Sequence, residues 1–245
     1  MTASRSQSRV LAARYRDCLF GDFGGLFLLL VQAPLIGWLC AVVWSSIERD
    51  TPGLYFVLCL AAVWFGCINA CREIVKERAI LERERLFGLR TTDYVLSKLW
   101  VLAAVGAVQV VLLQGTVEWH LQLRGPMPLE LIALFGASVA GTGLGLLVSA
   151  AATTQERAVF VVPLLLLPQI LFSEFAIPGD LYSDVVAAVE KAMPVHWAYR
   201  VFEESATLEP RWHVAGLSLL ALLVMASTCV VAAMVALIPR REVVA

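Results

Sequence analysis

His120, His196 and His213 are the residues best suited by type to bind a metal, but they are scattered along the chain and no Cys or His cluster with ligand spacing accompanies them. They read as interfacial or structural histidines, and no metal site is assigned. Gly141-Thr-Gly-Leu-Gly145 imitates a glycine-rich nucleotide loop. It lies inside an apolar run, where two glycines four residues apart instead let helices approach closely. The sequence holds no GxxxxGK[ST], no GxSxG and no HExxH, so it offers neither a phosphate cradle, nor a nucleophile elbow, nor a zinc-protease helix. No catalytic residue is assigned. The six cysteines, Cys18, Cys40, Cys59, Cys67, Cys71 and Cys229, form no CxxC pair and read as small buried hydrophobes. Gln32, Asn69, Gln109, Gln114, Gln169 and Glu174 are the polar residues inside apolar runs, with Glu174 as the one acidic candidate. Each amide is expected to hydrogen-bond between helices. The want of an acid–base relay argues against a proton-coupled pump.

The elements that must carry these residues are membrane spans. Of 245 residues, 60% are hydrophobic and 16% charged, against about 45–50% and about 25% in soluble domains. A span takes about 20 apolar residues. Six runs qualify: Gly24 to Trp44, Leu54 to Cys71, Val95 to Val117, Leu129 to Ala152, Ala158 to Ile177 and Val214 to Ile238. Pro34, Pro163 and Pro168 fall inside them and predict kinks. The predicted fold is an all-α integral membrane domain of six transmembrane helices over residues 24–238, with no cleavable signal. The two tails and the connections on their side carry 14 Lys and Arg together, and the opposite connections carry 5. That asymmetry puts both termini in the cytoplasm, including a short tail, 239–245.

Three segments lie outside the spans. Residues 1–23 place Leu11, Tyr15, Cys18 and Leu19 on one helical face with Arg5, Arg9 and Arg16 away from it, which predicts an interfacial helix. Residues 72–92 carry charges of both signs, with Arg78–Glu82 and Glu82–Arg85 at neighbour spacing. They predict a cytoplasmic helix extending the second span, then a turn. Residues 178–211 are interrupted by Pro194 and charges, with a helical stretch from Asp184 to Met193. They predict a re-entrant-like external cap, which requires burial by protein.

The run from Asn69 through Arg72-Glu-Ile-Val-Lys-Glu77 to Arg90, followed by Tyr94-Val-Leu-Ser-Lys98, resembles the ABC type-2 exporter permeases, above all the G-subfamily, or White-type, half-transporters and their bacterial relatives. Met193-Pro-Val-His-Trp-Ala-Tyr-Arg-Val-Phe202 resembles the stretch those proteins carry before the last span. The resemblance covers nearly the whole chain. It implies a permease subunit of an ATP-driven exporter, working by alternating access as a pair of identical or homologous copies. ATP and Mg would be bound by a partner ATPase subunit on the cytoplasmic side, and no cofactor by this chain. The charged helix would be the coupling helix, with Glu77, Arg78, Glu82, Arg83, Glu84, Arg85 and Arg90 transmitting ATPase closure. Phe65, Asn69, Pro163 and Leu167 would line a substrate cavity, with Phe175 and Ala176 at its outer gate. Apolar lining implies an amphipathic or lipid-like substrate; membrane lipids are expected partners and nucleic acid is not.

The departures bear on organisation. Many eukaryotic relatives carry cysteines in the last external segment, and none stands between Pro178 and Arg211. The chain starts about twenty residues before the first span, so the resemblance implies a separate ATPase, as in bacterial two-component transporters of the plasma (inner) membrane, or an excised domain. A sensing or assembly role for an ABC-like membrane subunit is the alternative. A membrane-embedded enzyme is the third reading, and it lacks a nucleophile or metal set.

Overall fold

The computed structural model describes residues 2–45, 52–121, 123–177, 183–207 and 209–238. The predicted tail, 239–245, and the start of the external segment at Pro178 lie outside the described residues. The described residues are helical, without strands: α1 (Thr2–Gly21), α2 (Phe23–Trp44), α3 (Pro52–Ala70), a 3-10 turn (Val75–Glu77), α4 (Arg78–Leu86), α5 (Thr91–His120), α6 (Met127–Ala151), α7 (Gln155–Leu171), α8 (Asp184–Lys191), α9 (Pro194–Ser205) and α10 (Trp212–Ala236). Asp22 caps α2 by accepting from the Gly25 N–H at 3.1 Å, and Thr154 caps α7 through the Arg157 N–H at 3.3 Å. Pro194 opens α9 at a position where its missing N–H costs no helical bond.

Five helical stretches, beginning at Phe23, Pro52, Thr91, Met127 and Trp212, are long and apolar enough to cross a membrane. The fifth predicted span, Ala158 to Ile177, is met by a shorter helix followed by turns. Helix α7 has 17 residues, about 26 Å at 1.5 Å per residue, under the roughly 30 Å of a hydrocarbon core. Beyond Leu171 the chain continues to Ile177 in hydrogen-bonded turns rather than helix.

Helix α3 forms the middle of the bundle and is buried on most of its circumference. It lies against α6 because both helices present glycine at the crossing. A Cβ on Gly66 would overlap the Ser138 carbonyl and the Thr142 N–H, one on Gly141 the Val63 carbonyl, and one on Gly145 would stand 2.6 Å from the Cys67 carbonyl. Gly143 faces the other way, where its Cβ would lie 3.0 Å from the Ala226 carbonyl of α10. The 141–145 glycines are therefore a packing seam. Helices α2 and α5 pair with each other, and α5 lies against both α3 and α6. Asn69 Nδ2 donates to Gln109 Oε1 at 2.6 Å, and Gln109 Nε2 donates to the Leu29 carbonyl at 2.7 Å. That carbonyl adjoins Leu30, whose own helical donor is removed by Pro34. The amide chain ties three helices together.

Glu174 is not the sole acidic group of the spans. Glu130, near the start of α6, is 0% exposed and accepts from Gln114 Nε2 of α5 at 2.7 Å, whereas Glu174 is exposed. The reading of all six cysteines as buried also needs correction, because Cys18 is exposed while Cys40, Cys59, Cys67 and Cys71 are buried. In α1, Leu11 and Tyr15 are the face that packs inward, toward α5.

The described part of the segment predicted as an external cap holds two short helices, α8 and α9. The apolar face of α9, with Val195, Ala198, Val201 and Phe202, is buried against the bundle. Glu204 at the end of α9 is paired with Arg211, which caps the approach to α10. The guanidinium holds the Glu204 carboxyl below the usual carboxylate range. A depressed folded-state pKa gives stability that is present above the unfolded value of about 4.3 and lost as pH falls through the folded one. The thermal destabilisation caused by Arg211→Ala, read by differential scanning in detergent, is therefore expected in full at pH 7 and to shrink below about pH 4.3.

Candidate coupling site

At the end of the bundle where α3 stops and α5 starts, the chain is charged but not loosely solvated. The segment predicted to extend the second span as a helix is helical in pieces: α3 ends at Ala70, the 3-10 turn Val75–Glu77 follows, and α4 starts at Arg78. After Ala70 the chain turns, and Ser149 Oγ near the end of α6 accepts the N–H groups of Ile74 at 2.9 Å and Val75 at 3.0 Å. This pins the 3-10 turn to α6, and α4 begins directly after it. Arg78 Nη2 donates to the Ala150 carbonyl at 2.5 Å, one of the last carbonyls of α6, where a cation also suits the helix dipole. Helix α4 ends in a Schellman motif: Leu89 N–H bonds Glu84 O at 3.2 Å and Gly88 N–H bonds Arg85 O at 3.0 Å. Gly88 holds φ at +91°, which a side chain would resist.

Lys98 is the centre of this region. It is 2% exposed, and its ammonium lies 2.8 Å from Glu77 Oε1 and 3.6 Å from Glu73 Oε2. It also sits 3.6 Å above the centroid of the Tyr15 ring of α1, a cation–π contact shielded from water. Tyr94, one turn before Lys98 on the same face of α5, donates its hydroxyl to Glu77 Oε2 at 3.1 Å. Lys76 pairs with Glu73 at 2.5 Å. Burial first, and then Glu73, push the Tyr15 phenol above its ordinary value, so it stays neutral beside the carboxylates. Arg14 reaches from α1 to α4 and grips Glu84 through two bonds, 2.6 and 3.3 Å. Arg85 bridges to Thr91 Oγ1 at 2.7 Å. Four elements, α1, the 3-10 turn, α4 and the start of α5, are thereby fixed as one unit.

The predicted coupling residues divide into two groups. Glu77, Arg78, Glu84 and Arg85 are spent inside the unit. Glu82, Arg83 and Arg90 are exposed, and Glu82 makes no ion pair with Arg78 or Arg85 among the described contacts. Leu86 and Phe87 join them at the tip of α4, each 85% exposed. Sequence reasoning missed Lys98, Glu73, Tyr94, Tyr15 and Arg14. Lys98 left a signal, since a lysine four residues into an apolar run needs a partner; the partners, drawn from α1 and the turn, left none.

The predicted cavity residues also separate. Phe65 is 0% exposed in the core cluster, and Asn69 is buried on Gln109. Pro163 and Leu167, four residues apart on α7, are exposed on one face. Phe175 packs against Phe56 at 4.9 Å and edge-on to Tyr199 at 5.2 Å between ring centroids, beside an exposed Ala176. The structure does not bring Phe65 and Leu167 to a common surface of the single chain.

Comparison with known proteins agrees with this architecture. The ABC transporter ATP-binding/permease protein Rv1747 of Mycobacterium tuberculosis (strain ATCC 25618 / H37Rv) is 31% identical over 162 residues, 61% of this chain. The chain spans only 18% of that relative's length. The family profile of the ABC-2 type transporters matches residues 6–206, from the helix that carries Tyr15 to the end of α9. With several membrane-crossing helices organised around a packed, charged end, this chain belongs to the ABC-2 type transporter family.

Proposed function

We propose that the chain is the membrane-spanning permease part of an ATP-binding-cassette exporter, coupled to an ATPase that binds ATP and Mg. The observation that carries the reading is the tip of α4. Its exposed Glu82, Arg83, Leu86 and Phe87 stand on a unit cross-braced by Arg14–Glu84 and Lys98–Glu77. Two apolar side chains ringed by charges suit a protein partner, with the apolar pair as anchor and the charges setting register. The bracing suits transmission, because a push on the tip moves α1 and α5 as well. Both termini and α4 then lie in the cytoplasm, at the plasma (inner) membrane, and two copies of the chain, or this chain and a homologue, pair in the working transporter.

Pro163 and Leu167 give the proposed substrate wall, facing the second copy, with Phe175 and Ala176 toward its outer gate. Phe65 and Asn69 support that wall from the interior. The apolar wall favours an amphipathic or lipid-like substrate moved by alternating access.

Phe87→Asp together with Leu86→Asp is expected to abolish capture of the partner ATPase, a loss of at least about thirtyfold in affinity if the pair is an interface anchor worth about 2 kcal/mol or more. The monomer should melt unchanged, because neither side chain is buried. Undiminished ATPase capture by the double variant would refute the docking assignment.

A further inference from the structure

A cleft of about 490 Å³ opens on the flank of α7 away from Pro163 and Leu167. It is bounded by α6, α7, α10 and the elbow between α8 and α9, and lined mainly by Leu144, Leu165, Ala221, Val224 and Met225. Leu165 and Gln169 face it from α7. They are offset by two residues from Pro163 and Leu167, about 200° around the helix, so this cleft is separate from the proposed substrate wall. Its size falls within the roughly 300–1,000 Å³ of small-molecule sites.

Two features say what it takes. Gln169, in the last turn of α7, is 3% exposed, and its Nε2 donates to the Leu165 carbonyl at 3.1 Å. Its Oε1 has no hydrogen-bond partner among the described residues. A buried acceptor left without a donor is costly and asks for a ligand group that supplies one. The last torsion of an amide is soft, so the oxygen can turn to the cleft. Lys191, exposed at the mouth, makes no ion pair among the described residues, and its carbonyl accepts from Trp197 Nε1 at 2.7 Å. Trp and Lys together are the side chains that sit at a membrane–water boundary. From that mouth the cleft descends beside α10 from Ala221 to Cys229, about 12 Å of helix, between spans whose surroundings are hydrocarbon.

We propose that this cleft holds one anionic phospholipid whose headgroup carries a hydroxyl, as in phosphatidylglycerol. An acyl chain fills the apolar length, the phosphate sits on Lys191, and a headgroup hydroxyl donates to Gln169 Oε1. The site is independent of the coupling and transport reading, since it needs only that the chain is embedded in a membrane.

Native mass spectrometry of the full chain, titrated with phosphatidylglycerol or phosphatidylcholine, tests it. One phosphatidylglycerol should be retained per chain in preference to phosphatidylcholine. Lys191→Ala should weaken phosphatidylglycerol alone by about fivefold, the effect of one cation near a lipid surface. Gln169→Leu should reduce the same preference, and Ala221→Phe, which fills the cleft, should remove the bound lipid. Equal retention of the two lipids, or phosphatidylglycerol binding unaltered in Lys191→Ala and Gln169→Leu, overturns the proposal. So does an Ala221→Phe chain that keeps its lipid but loses self-association, which would make the cleft an interface between copies.

Discussion

Replacing Gly66 with valine is expected to prevent α3 and α6 from meeting in their close crossing, at a large cost in stability. The new Cβ would overlap the Ser138 carbonyl and the Thr142 N–H, with the carbonyl carbon of Gly141 at 2.9 Å. These are backbone atoms of a continuous helix and cannot rotate aside. Overpacking a close-fitted core by a methylene or two costs about 1–3 kcal/mol. Here the obstruction moves a whole helix, so a loss above about 3 kcal/mol follows. Gly141→Val should act alike, since its Cβ would run into the Val63 backbone of α3. The comparison is Gly115→Ala, where nothing stands within 4 Å of the added atom and a helix-propensity gain of about 1 kcal/mol is the main expectation. Fluorescence-detected size exclusion and thermal melts in detergent read all three. A Gly66→Val protein that stays monodisperse and melts with the parent would remove the glycine seam as the basis of the fold.

The glycine seam is legible in the sequence because its signal is local: two glycines four residues apart inside an apolar run have one economical use. The spans are legible for the same reason, and Gly24 to Trp44 and Leu129 to Ala152 end within two residues of α2 and α6. What the sequence conceals is decided by distant partners. The break after Ala70 depends on a Ser149 hydroxyl seventy-five residues away, so the charged stretch reads as one continuing helix. Glu130, second in its apolar run, goes unmarked in the sequence because Gln114, its partner, belongs to another helix. The facing of Phe65 is hidden for a further reason. In a soluble helix the apolar stripe marks the buried face, but a span is apolar all round, since lipid and protein neighbours are both oily. Periodicity therefore cannot tell that α3 occupies the middle of the bundle while α7 leaves Pro163 and Leu167 uncovered. The coupling residues show both cases at once. Glu82, Arg83 and Arg90 are legible as exposed charge, and Glu77 falls in the right segment, yet nothing near it in sequence points to Lys98 as its partner.

Lys98→Met is expected to separate ATP hydrolysis from transport. The substitution keeps an unbranched side chain of similar length but leaves Glu73 and Glu77 without their shared cation, at a site where the lysine is 2% exposed. Removing one member of a buried pair costs about 3–5 kcal/mol, because the remaining charge is stranded. Under the proposed function the consequence is specific. The exposed tip at Glu82, Arg83, Leu86 and Phe87 does not touch Lys98, so the ATPase should still dock and hydrolyse ATP. The link from the turn to α1 and α5 is cut, so movement of a labelled amphipathic cargo in proteoliposomes should fall steeply while hydrolysis continues. Instability alone could imitate a loss of transport, and Glu77→Gln in the Lys98→Met background separates the two. The double variant no longer strands the nearer carboxylate, and the amide put in its place can still accept from the Tyr94 hydroxyl, so stability should largely return. Transport should not return, because an amide beside a thioether cannot hold α5 to the turn as an ion pair does. If transport recovers in step with stability, the Lys98–Glu77 pair is a structural brace and the force runs by another route. If Lys98→Met transports normally at normal stability, the charged unit has no part in coupling and α4 cannot be the lever.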